Sequence, residues 1–243
     1  MKVQPIKTSV FHEGDNLIAF IANHIRRLPE RAVVIVTSKI VSLSEGRVVD
    51  APTEADRERL IRRESQWRMK TKWTWLTIKD GMVMSSAGLD RSNADGRTVL
   101  LPRDSFASAK KIRQALKRKY KVKKLGVLIS DSRLFPLRAG IVGVALGYAG
   151  FRGVRDYRGL RDIFGRQLKM SRTDVADSLA TAAVVEMGEA AERQPLAVIT
   201  DARVEFTERV SRRELLMDFR DDIYAPLFQN IKKIRLKKIK GPW

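Results

Sequence analysis

The chain has 243 residues, 44% of them apolar, which is enough for one large or two small globular domains with ample core. With no cysteine, no run of eighteen apolar residues and no leader pattern at Met1, it excludes disulfides, thiolate metal sites and a cysteine nucleophile, and it predicts a cytoplasmic protein with no membrane partner. A formal charge of +20 predicts a field that draws in anions, from phosphorylated small molecules to nucleic acid.

In chain order, Asp15 or Asn16 is placed to cap a helix whose apolar residues recur at helical spacing over 17–28. Ala32–Thr37 is β-branched and apolar throughout, hence a buried strand, and it delivers Ser38 and Lys39, whose hydroxyl and ammonium groups suit phosphate. The charged stretch 52–72 reads as a helix. Trp67, Trp73 and Trp75 lie among basic residues, compatible with stacking on a base and more readily with a core or dimer contact. Strands at 75–78 and 82–84 flank an Asp80-Gly81 turn. In 86–93 small residues surround Asp90, as in an Asx turn or an oxygen site for a hard cation.

The segment 105–119 reads as a helix with Ala109, Ile112, Ala115 and Leu116 on one face and basic residues mostly toward water. Two basic runs, 110–124 and 231–240, contain no acid. Residues 126–166 then hold eight of the fifteen glycines. Such crowding predicts tight turns or close approach of a ligand to backbone. A strand at 127–129 delivers Asp131, and Asp156 and Asp162 alternate with Arg138, Arg152, Arg155, Arg158, Arg161 and Arg166, a combination that suits an anionic, metal-bound ligand. A helix is expected over 171–189, with Ser171 and Asp174 spaced as a capping box, and a strand at Leu196–Thr200. No P-loop, dinucleotide fingerprint or G-x-S-x-G is present, and with only His12 and His24 a histidine-based hydrolase is hard to build. The separated carboxylates Asp90, Asp131 and Glu189, with many basic groups, fit Mg²⁺ or Mn²⁺ holding nucleotide phosphates.

Six motifs together resemble the coenzyme F420-0:γ-glutamyl ligase family: TSKIVSLSEGRVV at 37–49, SAGLDRSN at 86–93, LLPRDSFASAKKIR at 100–113, GVLISDS at 126–132, RAGIVGVALGYAGFRGVRDYRGLRDIFGRQL at 138–168 and VADSLATAAVVEMGEA at 175–190. The resemblance implies a mixed α+β fold with flanking helices and two intimately packed subdomains, a catalytic domain over 1–228 followed by a basic tail at 229–243, and a homodimer. It implies attachment of L-glutamate to the carboxylate of an acidic acceptor through an acyl phosphate, using GTP or ATP with Mg²⁺ or Mn²⁺ and K⁺. It assigns Asp90, Asp131, Ser132 and Glu189 to metal, Asp131 and Arg138 to catalysis, and Thr8, Ser9, Val10, Phe11, Ser38, Lys39, Asn93, Met187, Gly188 and Ala190 to the nucleotide, on a loop that runs over 187–194. The arginines of 152–166 are the expected place for the acceptor or glutamate.

Leu43 departs from the pattern, standing where some members carry a nucleotide-contacting lysine. The short basic segment 50–80 and the ending DDIYAPLF look closer to a bacterial branch labelled as folate-metabolism γ-glutamate ligases, so the acceptor is a folate, the deazaflavin precursor or another carboxylate. The alternative from a different class is a nucleic-acid-binding protein on a non-catalytic ligase scaffold, using the basic runs.

Overall fold

The computed structural model describes residues 1–218 and 220–228, which divide into two compact units. In chain order the elements are β1 (Lys2–Ile6), α1 (Leu17–His24), β2 (Ala32–Thr37), α2 (Ser38–Ser44), β3 (Val48–Val49), α3 (Glu54–Glu64), β4 (Trp67–Lys70), β5 (Trp75–Lys79), β6 (Met82–Ser85), β7 (Thr98–Val99), α4 (Ser105–Tyr120), β8 (Leu125–Leu134), β9 (Ile141–Ala149), β10 (Val154–Asp156), β11 (Arg172–Asp174), α5 (Val175–Met187) and β12 (Leu196–Thr200). The protein is mixed α+β. No helix among the described residues is long and apolar enough to cross a membrane.

The first unit, Met1–Gly46 with Pro102–Glu214, is built on a five-stranded sheet of order β1-β12-β2-β8-β9, in which only the β2–β8 pair is parallel. Residues 32–36 of β2 are all buried, because both faces of the sheet are covered and the strand needs no polar side. Val34, Val36, Val127 and Ile129 join Phe20, Ile21, Ile112 and Leu116 in one core under α1 and α4. Helix α5 covers the opposite face with Ala176, Leu179, Ala180 and Ala183.

Part of the glycine crowding finds its reason here in packing, while Gly140 and Gly165, at φ +90° and +81° with open space around them, sit in turns as the sequence predicts. Pairing of β8 with β9 shifts between Ile129↔Gly147 and Ser130↔Ala145, so β9 carries one extra residue and its alternation inverts. Gly143 therefore faces α5 and Gly147 faces α4. A Cβ at Gly143 would lie 2.3 Å from the Ala180 carbonyl oxygen, and one at Gly147 would lie 2.5 Å from the Ser105 carbonyl carbon. Neither helix could approach the sheet this closely over a side chain.

Two sequence expectations change. The helix expected over 171–189 starts at Val175, because Arg172–Asp174 pairs with Val154–Asp156 as a ribbon, and the cap is Asp174, which accepts from Asp177 N at 2.9 Å. The helix expected over 52–72 stops at Glu64: Gln66 N donates to Ile78 O at 2.8 Å, and Trp67–Lys70 pairs with β5. Cross-strand pairing overrides local propensity in both cases.

The second unit comprises Arg47–Leu101 and the segment from Leu215. Its three-stranded sheet β4-β5-β6 turns at Asp80-Gly81, both at positive φ, as the sequence predicts. Trp75 packs against Ile61, Ala87, Leu89 and Leu100. Trp73 instead stands 85% exposed at the β4–β5 turn, with Lys72 Nζ 4.7 Å from its ring centroid.

Asp174 and Asp177 form a half-buried acid pair at the start of α5. Burial and the neighbouring Asp177 charge push the Asp174 carboxyl up to about 6, burial raises Asp177 as well, and Arg133 opposes that rise. The folded chain thus binds a proton that the unfolded chain releases near pH 4, so stability falls as pH rises from about 4 to about 6. Asp174→Asn keeps the helix cap and removes one charge. It is expected to raise stability at pH 7.5 by about 1–2 kcal/mol, less than the full shift because water still reaches the pair. At pH 4 the variant and the parent should unfold alike; equal urea midpoints at pH 7.5 would contradict the shared burial of charge.

Candidate active site

The sheet register brings distant segments of the first unit to one edge. Ile6 at the end of β1 pairs with Leu196 at the start of β12, Leu196 pairs with Val36, and Thr37 pairs with Ser130 across the parallel β2–β8 step. Residues 8–11, 38–39 and 187–194 leave or enter the sheet at this edge, and Asp131 and Ser132 continue β8 past the end of β2. Backbone bonds fasten them: Thr8 N donates to Arg193 O at 2.8 Å and Thr37 N to Pro195 O at 3.0 Å. Ligands of open α/β sheets collect at such carboxyl ends of parallel strands.

Asp131 is held from two sides. Ser38 Oγ donates to its Oδ1 at 3.0 Å, and Arg133 Nη1 donates to its Oδ2 and to Ser132 O, the latter at 2.8 Å. Arg133 is buried, and its Nε and Nη2 make no hydrogen bond among the described residues. Thr37 Oγ1 and Ser130 Oγ, opposite one another in register, are also buried without a partner among the described residues, so polar capacity remains at the strand ends. The loop 8–11 is tied down by His24: its Nδ1 lies 2.9 Å from Phe20 O, and its Nε2 accepts from Ser9 N at 3.2 Å, a pairing that suits the tautomer protonated on Nδ1. Phe11 is buried edge-on against Phe20, while Val10 is exposed.

Helix α5 ends at this same edge. Met187 is buried, Gly188 takes φ +77°, and Gln194 Nε2 donates to Met187 O at 3.2 Å, closing the loop on which Ala190 N donates to Glu192 Oε2. Glu189 and Ala190 are exposed, Lys39 is half-buried, and Leu43 packs against the core. Asp90 and Asn93 belong to the second unit. Asp90 Oδ1 accepts from Ser92 N at 2.8 Å, the Asx turn that the sequence allowed. The backbone before it is strained, since Ser86 and Ala87 take φ of 47° and 55° and are held by Thr77 Oγ1, which accepts from Ala87 N at 2.8 Å. Asn93 is exposed, at φ 50°.

Among the described residues no three His, Asp or Glu side chains gather where they could hold a metal ion. An all-protein cation cage is thus not preformed. The oxygen donors at Asp131 and Ser132 fit the other mode of Mg²⁺ binding, in which one or two carboxylates share the ion with substrate phosphates.

Arg138 sits exposed in the turn between β8 and β9, which follows the end of β8 that carries Asp131. Of the arginines expected at the acceptor, Arg152, Arg155 and Arg158 line a cavity near the start of α5. Arg161 instead donates to Gly165 O, and Arg166 is exposed beside Asp162. Sequence reasoning missed Arg133 and His24; the signal for Arg133 was its place two residues after Asp131 on a β-strand, hence on the same face. Within the basic run at 110–124, Arg113 is buried, donating to Leu125 O at 2.7 Å and in a bidentate pair with Glu208 at 2.6 Å, and Lys117 joins them, while the other basic residues are exposed, as the sequence predicts. The run at 231–240 and the tail at 229–243 lie outside the described residues.

The F420-0:gamma-glutamyl ligase family model matches residues 5–201. Relatives named coenzyme F420:L-glutamate ligase include one from Methanococcus maripaludis strain C6, 32% identical over 215 residues that cover 81% of this chain and 86% of the relative. One from Methanocaldococcus jannaschii is 30% identical, with 92% and 96% covered. One from Methanothermobacter thermautotrophicus is 44% identical over 122 residues, about half of either chain. The chain belongs to the F420-0:gamma-glutamyl ligase family, a family of ligase enzymes.

Proposed function

We propose that the protein uses GTP, or ATP, to join L-glutamate to the carboxylate of an acidic acceptor of the F420-0 or folate type through an acyl phosphate. What supports the reading is the sheet edge: Thr8–Phe11, Ser38 with Lys39, Asp131 with Ser132, and the loop 187–194 are far apart in sequence and share one end of one sheet. In this reading Thr8, Ser9, Val10, Phe11, Ser38, Lys39, Met187, Gly188 and Ala190 hold the nucleotide. The resemblance gives Asn93 as a further nucleotide contact.

Asp131, Ser132 and Glu189 are the residues that would hold Mg²⁺ or Mn²⁺, with K⁺ as a further ion; Asp90, in the other unit, is the third carboxylate of the resemblance. A bound cation supplies neutralisation of phosphate charge as the acceptor carboxylate attacks phosphorus. Ser38 and Arg133 fix the rotamer of Asp131 so that little reorganisation is needed. A homodimer is part of the same reading, supported by the exposed Ile163, Phe164 and Met170.

Incubation with L-glutamate, nucleotide, Mn²⁺ and a panel that includes tetrahydrofolate and the deazaflavin precursor is expected to add one glutamyl unit to a panel member, read by mass spectrometry. Phosphate release should require both glutamate and acceptor. Release independent of both, with no mass gain on any member, would remove the ligase reading.

A further inference from the structure

A cavity of about 500 Å³ opens in the first unit at the N-terminal end of α5, walled by Arg152, Arg155, Arg158, Arg172 and Arg203. Five guanidinium groups face three carboxylates there, which leaves two positive charges in excess. The pairing is uneven. Arg152 Nε donates to Glu205 Oε1 at 2.7 Å, and Arg158 grips Asp156, with Nη2 to Oδ2 at 2.6 Å, holding that carboxyl down at about 2. The third carboxylate, Glu214, is taken by neutral donors, Tyr148 Oη at 2.7 Å and Gly153 N at 2.9 Å. Among the described residues Arg155 reaches only neutral oxygens, the Arg203 carbonyl and the Tyr157 hydroxyl. Arg203 itself is exposed and has no carboxylate partner among the described residues.

Position separates this cavity from the sheet edge described above. Val175, the first residue of α5, lines the cavity, whereas Gly188, just past the last, opens the loop at the sheet edge. The 13 residues between span about 20 Å at 1.5 Å per residue. The cavity therefore lies apart from the 187–194 loop. Guanidinium forks match phosphate and carboxylate oxygens two at a time, and the volume suits a small molecule rather than a single ion.

We propose that this arginine-walled cavity is an oxyanion site separate from the nucleotide end, taking a ligand that carries a phosphate group or paired carboxylates. The anion has two sources: the distal anionic arm of the ligation acceptor, which rests on the function proposed above, or a free phosphorylated metabolite that acts as an effector, which does not. Both use the same recognition chemistry.

Calorimetric titration of the full chain with pyrophosphate in EDTA tests the site without any turnover. The parent is expected to bind one equivalent, and Arg155→Gln/Arg203→Gln to bind about tenfold or more weakly, while both bind a non-hydrolysable GTP analogue alike and the analogue does not displace pyrophosphate. Arg203→Gln alone, at an exposed position, serves if the double variant loses its circular dichroism. Unchanged pyrophosphate affinity in both variants, or displacement by the analogue, overturns the site. Kinetics then separate the sources: an acceptor arm raises KM for acceptor with KM for nucleotide unchanged and makes pyrophosphate compete with acceptor, whereas an effector changes kcat without competing. Binding that persists in a protein with no ligase activity would retain the oxyanion site while removing the ligase reading.

Discussion

Asp131→Asn is expected to lower glutamate-dependent phosphate release by about 10²–10³-fold, the scale seen when one electrostatic element of an active site is removed. Asparagine keeps the shape and leaves Oδ1 able to accept from Ser38 Oγ, so the strand end and the start of α2 stay in place. What goes is the charge. Without it, Arg133 remains buried with its Nε and Nη2 unpaired among the described residues, and the edge proposed to face nucleotide phosphates loses an anionic group. The uncompensated arginine also costs stability, about 1–3 kcal/mol, moderated by Asp177 nearby. Assays run well below the variant's unfolding temperature distinguish the two effects. Full activity in a folded variant would end the assignment of Asp131 to the reaction.

Gly143→Ala should cost the first unit about 2–3 kcal/mol by urea unfolding. Its Cβ would meet the Ala180 carbonyl oxygen at 2.3 Å and Ala180 C at 2.5 Å, which are backbone atoms of a helix and cannot rotate aside. The helix must lift from β9, and Thr181 Oγ1, which donates to Gly143 O at 2.7 Å, would be pulled with it. Because α5 ends at Gly188, that displacement reaches the 187–194 loop, and KM for nucleotide should rise with the loss of stability. A variant with the parent's midpoint would mean that the helix and sheet tolerate more separation than their packing implies.

Much of the fold was legible without coordinates where one local rule dominated. Ala32–Thr37 could only be a buried strand, Asp15 or Asn16 a cap and Asp80-Gly81 a hairpin turn; the strand and the turn are found so, and of the two cap candidates it is Asn16 that caps. Legibility failed where a partner elsewhere in the chain decided. Trp67–Lys70 has a charged, helix-compatible sequence and becomes a strand because β5 offers it a ladder; Arg172–Asp174 does so because of β10.

The same division runs through the candidate site. The ordered family motifs, carried by residue identity alone, determined the membership, and the residue chemistry determined that oxygen donors and cations would serve an anionic substrate. Only the tertiary structure decided which of those groups work together. The β2–β8 register puts Ser38 beside Asp131, a β-bulge turns two glycines toward two different helices, and α5 holds its arginine-lined start and its Gly188 loop about 20 Å apart. Gly143 and Gly147 therefore serve helix packing rather than the close ligand approach that composition suggests, because contiguity in sequence fixes distance along the chain, while hydrogen-bond register fixes the face that a residue takes.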